Sequence, residues 1–149
     1  MSTPRIDFYT ASPAALKAML ALSAAVNHLG LEASLLELVK MRASQLNGCA
    51  FCLDMHARDA RKAGESERRL YVLPAWRETE LFSRREQAAL AWTEALTLVI
   101  DGHASDADYD FARSEFSDAE LVNLTLAITT INAWNRFAIG FRKSLPVEP

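Results

Sequence analysis

Helix signals occupy almost the whole sequence, and this pattern most limits the folds open to the chain. Ser83-Arg-Arg-Glu86 and Ser117-Asp-Ala-Glu120 read as capping boxes, in which serine and glutamate satisfy the free N–H groups that begin a helix. A long apolar-rich stretch follows each box. No segment alternates apolar and polar residues at every second position, as a half-buried strand would. The sequence therefore predicts an all-α fold.

Capping residues, glycines and prolines set the expected helix boundaries. The first helix should begin at Ser12-Pro13, run to about His28 and end before Gly30. Pro74 marks a short, looser stretch over residues 71–76. The later helices are expected over residues 31–46, 49–64, 83–100, a short segment from 105, and 117–142.

Length and composition fit one soluble domain, which we predict over residues 1–149. The chain is 50% hydrophobic and 23% charged, which is ordinary for a globular protein. Its formal net charge of -3 is spread without blocks, so the sequence offers no basic surface for nucleic acid.

Two apolar runs could be mistaken for targeting or membrane segments. The run 18–26 starts late, and its larger apolar residues follow helical spacing, so an amphipathic core helix is expected instead. The run 121–135 is too short to span a membrane and is interrupted by Asn and Thr. We therefore expect a cytoplasmic protein without a membrane partner. Thiols stay reduced there, which favours redox or metal roles over a structural disulfide.

The only two cysteines, Cys49 and Cys52, are the strongest chemical signal. They start a predicted helix, and His56 follows four residues after Cys52, so all three lie on one helical face. Free N–H groups and the positive end of the helix dipole favour a thiolate at that position. Such a pair can close a disulfide, bind a metal, or act as nucleophile and resolving partner.

The Asn47-Gly48 turn should fold the preceding helix against the one that carries the cysteines, with Asn47 as a possible cap. Glu37 lies on that preceding helix among leucines. A carboxylate in an apolar helix pair needs a hydrogen-bond donor, which His56 or a water could supply. The alternative is that Glu37 is a surface charge on the polar face of its helix.

Metal binding and inert buried thiols are the alternatives to redox chemistry. The two cysteines and His56, with Glu37 or water, could supply four zinc ligands, but structural zinc sites usually draw on two separated pairs and no second pair exists. The residues favour redox chemistry, with no metal and no cofactor. A thioredoxin fold is excluded because its βαβ pattern is missing.

The remaining conspicuous residues are expected to be structural. His28 should contact the last carbonyls of its helix, and His103 should be solvated in a polar turn. The tryptophans are expected to be apolar anchors, and three polar residues of the last helix could be buried ties. These are Trp76, Trp92 and Trp134, and Asn132, Asn135 and Arg136.

The segment 37–60, which contains Glu37, both cysteines and His56, resembles the alkylhydroperoxidase D-like group of the carboxymuconolactone decarboxylase superfamily. Segments 75–78, 86–97 and 132–136 also fit, so the resemblance runs from about residue 30 to 140. It implies a helical subunit that assembles as a homotrimer or homohexamer. Lactone decarboxylases of the superfamily lack the cysteine pair, so decarboxylation is not expected.

The resemblance also implies an enzyme, a thiol-dependent peroxidase of antioxidant defence. Cys52 would attack the hydroperoxide, Cys49 would resolve the sulfenic acid as a disulfide, and Glu37 and His56 would relay protons. A lipoyl- or thioredoxin-type protein would supply electrons as a dithiol. Some relatives carry a second histidine where this chain has Phe51. A thiol-disulfide adaptor and a metal-binding or structural oligomer are the competing functions.

The last helices independently predict association. Segments 88–100 and 121–141 are apolar on more than one face, and a helical domain of 149 residues has few positions buried on every side. Contacts between subunits would cover the surplus, with closed symmetry the usual result.

Overall fold

A computed structural model describes residues 3–146, and in that range the regular structure is entirely helical. This confirms the all-α prediction. One 3₁₀ helix spans Leu73–Glu78. The α-helices are α1 Phe8–Ala11, α2 Pro13–Asn27, α3 Ala33–Asn47, α4 Ala50–Lys62, α5 Glu67–Val72, α6 Arg84–Thr97, α7 Val99–Gly102, α8 Asp106–Glu115 and α9 Asp118–Gly140.

Local capping chemistry determines most helix starts. Both predicted capping boxes form, at Ser83 before α6 and at Ser117 before α9. Ser12 and Ser105 cap α2 and α8 through their side-chain oxygens. Two predictions need correction. The helix expected to reach residue 100 ends at 97 and is followed by the separate α7, and the looser stretch at 71–76 is helical, as the end of α5 and most of the 3₁₀ helix.

Helix α3 is the central element, since it packs against α4, α6 and α9. Its residues Leu38 and Val39 are fully buried, together with Leu90 on α6 and Leu124 and Ile128 on α9. Aliphatic side chains of this size each stabilise the fold by about 1.5–3 kcal/mol when buried. This packing therefore holds the C-terminal end of α3 and the N-terminal end of α4, where the cysteines lie, against α9.

Helix α2 is present as predicted, but it is not a core helix. Val26 is its only buried residue, and most of its alanines and Leu20 are exposed. The indole N–H of Trp134 donates to Ser23 Oγ at 2.7 Å, which attaches α2 to α9. Within residues 3–146, no helix is both long and apolar enough to cross a membrane.

The segment before α2 lies on the carboxyl-terminal end of α9. The backbone N–H of Arg5 donates to the Phe141 carbonyl at 3.1 Å, and Arg5 Nη1 donates to the Gly140 carbonyl at 2.9 Å. Phe8 is buried, with its ring centroid 5.5 Å from that of Phe137 and 5.8 Å from that of Phe141. The two ends of the described chain are thus packed together.

Candidate active site

The turn between α3 and α4 places the two cysteines. Gly48 adopts a left-handed conformation with φ of 68°, which glycine reaches without steric cost and which ends α3. Cys49 is the N-cap of α4, and its Sγ accepts a hydrogen bond from the backbone N–H of Cys52 at 3.4 Å. The expectation that Asn47 caps α4 is therefore wrong, because Asn47 is the last residue of α3.

Cys49 and Cys52 form a disulfide, with 5.4 Å between their Cα atoms. They are 1% and 2% exposed and pack with Ala138 of α9 and the half-buried Phe51. In the reduced state, the N–H bond to Cys49 Sγ would stabilise negative charge on that sulfur. The structure thus shows the oxidised form of a buried CxxC cysteine pair.

Glu37 joins α3 to α4 beside this pair. Its Oε2 accepts a hydrogen bond from His56 Nδ1 at 3.0 Å, and its Oε1 accepts one from Lys40 Nζ at 2.8 Å. Burial raises the pKa of Glu37, but the bonds from His56 and Lys40 outweigh burial and hold the pKa below its ordinary value. Glu37 is therefore a carboxylate near neutral pH, and as an acceptor it requires a proton on His56 Nδ1. Nε2 is then the basic nitrogen of the ring.

A cavity of about 250 Å³ adjoins the cysteine pair. Cys52 and His56 are among its lining residues, whereas Cys49 is not. The walls come from α1, α2, α3, α4 and α9, and most of the lining side chains are apolar. Within residues 3–146, Lys40 is the one lysine or arginine that lines the cavity. The cavity gives a small, largely apolar molecule access to Cys52 rather than to Cys49.

Amide side chains hold the α3–α4 turn against α9. Asn47 Nδ2 donates to Asn132 Oδ1 at 2.9 Å and to Asn135 Oδ1 at 2.8 Å. Asn135 is fully buried, and its Nδ2 donates to Ser44 Oγ at 3.0 Å. The Ser44 carbonyl in turn accepts the backbone N–H of Cys49 at 3.0 Å. Asn135 therefore acts on the cysteine pair through the turn that carries it.

Replacing Asn135 by alanine should destabilise the fold by about 2–4 kcal/mol, because two hydrogen bonds are lost and the amide of Asn47 and hydroxyl of Ser44 lose a buried partner. Urea unfolding of the reduced protein measures this. Thr129→Ala on the exposed side of the same helix is the matched control and should change stability by about 0.5 kcal/mol at most. Equal effects in both variants would show that the network is not structural.

The structure brings together all four residues singled out from the sequence. Cys49, Cys52 and His56 lie on α4 or its cap, and Glu37 joins the group from α3 through its bond with His56. His28 Nδ1 lies 2.7 Å from the Ala24 carbonyl, as expected of a residue at a helix end, and His103 is exposed. Of the predicted polar ties, Asn132 and Asn135 make interhelical bonds, whereas Arg136 is exposed and bonds within α9.

Sequence reasoning missed several residues of the site. Lys40 has no motif of its own, and only its spacing of three from Glu37 could have indicated an ion pair. Trp76 and Trp92 are buried as expected, but Trp134 is half-buried and lines the cavity. Phe8 and Tyr9 line it too, although nothing in the local sequence around them suggests a site.

The described residues contain no group of three or more His, Cys, Asp and Glu side chains arranged to hold a metal ion. Fold and site together define an all-α protein with a buried CxxC cysteine pair beside a glutamate–histidine pair. The carboxymuconolactone decarboxylase family model matches residues 13–95. The chain belongs to the carboxymuconolactone decarboxylase superfamily, in its alkylhydroperoxidase D-like group.

Similar proteins share this fold over most of their length. The uncharacterized protein YdfG of Bacillus subtilis is 40% identical over 136 residues, which are 91% of this chain and 92% of YdfG. A crystal structure from Agrobacterium tumefaciens, of unknown function and described as a candidate antioxidant defence protein AhpD, is 44% identical with a TM-score of 0.95; the match covers 98% of this chain and 100% of that one.

The debrominase Bmp8 in its apo form also superimposes, with a TM-score of 0.79. The match covers 91% of this chain and 73% of Bmp8, but sequence identity is 15%. At that identity the likeness concerns the fold alone.

Proposed function

We propose that this protein is a thiol-dependent peroxidase that reduces organic hydroperoxides in antioxidant defence, in the cytoplasm. The observation that carries the proposal is the cavity, which has Cys52 and His56 in its lining while Cys49 lies behind them in disulfide contact with Cys52. The similarity to the Agrobacterium protein supports the same function.

The proposed reaction has three steps, namely attack on the peroxide, disulfide formation and reduction by a dithiol donor. The Cys52 thiolate attacks the terminal oxygen of the hydroperoxide, the O–O bond breaks, and the alkoxide leaves as an alcohol after taking one proton. Cys52 is then a sulfenic acid. The Cys49 thiolate attacks the Cys52 sulfur, hydroxide leaves and becomes water with one proton, and the disulfide forms. A dithiol donor of lipoyl or thioredoxin type returns two electrons and two protons.

His56 and Glu37 manage the protons. His56 takes the Cys52 proton on Nε2 and returns it to the leaving alkoxide. Glu37 accepts from Nδ1 and stabilises the imidazolium between these events. The bond from Lys40 keeps Glu37 ionised, so that it can play this part. Phe51, in the position of a second histidine in some relatives, adds no proton carrier, so this relay depends on His56 alone.

Peroxide consumption tests the function most directly. Fully reduced protein mixed with cumene hydroperoxide should consume one equivalent and lose two thiols. Turnover should follow when dihydrolipoamide, dithiothreitol or reduced thioredoxin is supplied. A protein that exchanges disulfides with these donors but consumes no peroxide is a thiol-disulfide adaptor. Stoichiometric zinc on the purified reduced protein would instead favour the metal-binding oligomer.

We propose that the chain assembles as a homotrimer or homohexamer, in part through α2. That helix exposes small apolar residues along most of its length, and Lys17 is its only charged residue. Exposed apolar area of this extent is typical of a subunit interface.

Light scattering at micromolar concentration should give three or six times the mass of one chain. Ala21→Glu should lower that mass, and Tyr71→Glu on exposed α5 is the control. A stable monomer would contradict the proposal.

A further inference from the structure

One wall of the cavity comes from the segment that precedes the family match. The family model begins at residue 13, whereas Phe8 and Tyr9 of α1 line the cavity next to Cys52 and His56. The segment 5–11 thus lies ahead of the residues that the family model matches. A residue in this segment can change which molecules reach Cys52 without changing the cysteine motif.

Contacts on three sides hold this wall in place. Arg5 bonds to the carbonyls of Gly140 and Phe141 at the end of α9. Phe8 packs against the rings of Phe137 and Phe141. Lys143 Nζ lies 4.4 Å from the centre of the Tyr9 ring and 5.9 Å from that of the Phe51 ring, so it links the wall to α4 by cation–π contacts.

The size and lining of the cavity restrict what it can hold. Phe8 and Tyr9 contribute aromatic surface from α1, and Phe51 and Trp134 contribute it from α4 and α9. A volume of about 250 Å³ lies just below the roughly 300 Å³ at which sites for drug-sized ligands begin. The cavity therefore suits a compact apolar body, of the size of one substituted ring, with its reactive group at Cys52.

We propose that Phe8 and Tyr9 are specificity-determining residues, which make the Cys52 site select reactants with an apolar, ring-sized body. Under the proposed function, on which this assignment of substrate rests, these reactants are aryl-alkyl hydroperoxides. Hydrogen peroxide has no apolar body to contact the wall, so its reduction does not depend on these two side chains.

Kinetics with two peroxides test the wall. Phe8→Ala should lower kcat/KM for cumene hydroperoxide by about tenfold and Tyr9→Ala by a smaller factor, since each removes apolar contact with the substrate ring. Values for hydrogen peroxide should change by less than about twofold. Ile6→Ala is the matched control, because Ile6 lies in the same segment, is 53% exposed and does not line the cavity. Tyr9 is partly exposed, so Tyr9→Ala still tests the wall if Phe8→Ala fails to fold.

Alkylation of reduced Cys52 separates this inference from the peroxidase proposal. N-phenylmaleimide should label Cys52 faster than N-methylmaleimide in the native protein, as read by mass spectrometry, and Phe8→Ala and Tyr9→Ala should reduce that preference. If no peroxide is consumed but the preference depends on Phe8 and Tyr9, the wall selects ring-bearing reactants and only the peroxidase function fails. Unchanged ratios in both variants, for peroxides and maleimides alike, would overturn the inference.

Discussion

Under the proposed function, replacing Cys52 by serine should abolish peroxide reduction, with a loss of roughly a thousandfold or more, because the sulfur proposed to attack is removed. Cys49→Ser should behave differently, since Cys52 can still attack once. That variant should consume one equivalent of cumene hydroperoxide and stop as the sulfenic acid. A carbon-acid trap, such as dimedone, should then label Cys52, as read by mass spectrometry.

The structure gives a reason for assigning the attack to Cys52. Both sulfurs belong to the first turn of α4, where the helix dipole favours a thiolate. Access differs, however, because Cys52 lines the cavity and Cys49 does not. The backbone N–H that donates to Cys49 Sγ suits a leaving thiolate when the disulfide is reduced. Trapping on Cys49 in the Cys52→Ser protein, with no label on Cys52 in the Cys49→Ser protein, would reverse the roles.

The capped helix starts and the grouping of Glu37, the cysteines and His56 could be predicted because their signals are local. Capping boxes, Pro13 at a helix start and Gly48 at a turn act through neighbours within four residues. Glu37 and His56 lie on consecutive helices joined by a short turn, so the folding of that turn alone brings them together. A sequence motif records this kind of proximity well.

The cap of α4 shows how a local signal can be assigned to the wrong residue. Asn47 is a good capping residue, but Gly48 takes the left-handed position that ends α3, and Cys49 is the residue immediately before α4. Asn47 instead bonds to α9, 85 and 88 residues away in sequence. The asparagines of α9 indicated buried hydrogen bonds, but not which residues would be their partners.

The cavity wall could not be predicted, because it depends on where the chain ends meet. Phe8 reaches the site through packing on Phe137 and Phe141, which periodicity cannot reveal.

The exposure of α2 has a related cause. Its alanines and leucines have the composition of a core helix, but α3, α6 and α9 already fill the centre and leave α2 on the surface of the single chain. Apolar composition predicts burial without saying whether the chain or a second subunit provides it.

Removing the proposed proton relay should produce the second large effect. Glu37→Gln should lower kcat/KM for cumene hydroperoxide by about a hundredfold, and His56→Ala by at least as much, within the range typical of general acid–base groups. Glutamine can still accept a bond from His56 but cannot stabilise the imidazolium with a full charge. Stopped-flow rates of sulfenic acid formation isolate this step from reduction by the donor. Glu32→Gln is the matched control, since Glu32 lies at the N-cap position of the same helix and its side chain pairs with Arg85 rather than with His56.

The pH dependence distinguishes this relay from a structural ion pair. The pKa of Glu37 lies below its ordinary value, because the bonds from His56 and Lys40 outweigh the effect of burial. Its contribution to folding stability is therefore fully present above the unfolded pKa of about 4.3, and it is lost as pH falls through the lower folded pKa. Urea unfolding should consequently show that Glu37→Gln destabilises the protein at pH 7. The loss of stability should become progressively smaller as pH falls below the unfolded pKa of about 4.3. If the variant shows this loss of stability and yet retains the full rate of peroxide reduction from pH 5 to 9, Glu37 only holds Lys40 and His56 in place. His56 would then act without a carboxylate partner, because the charge that Glu37 supplies would have no effect on the transition state.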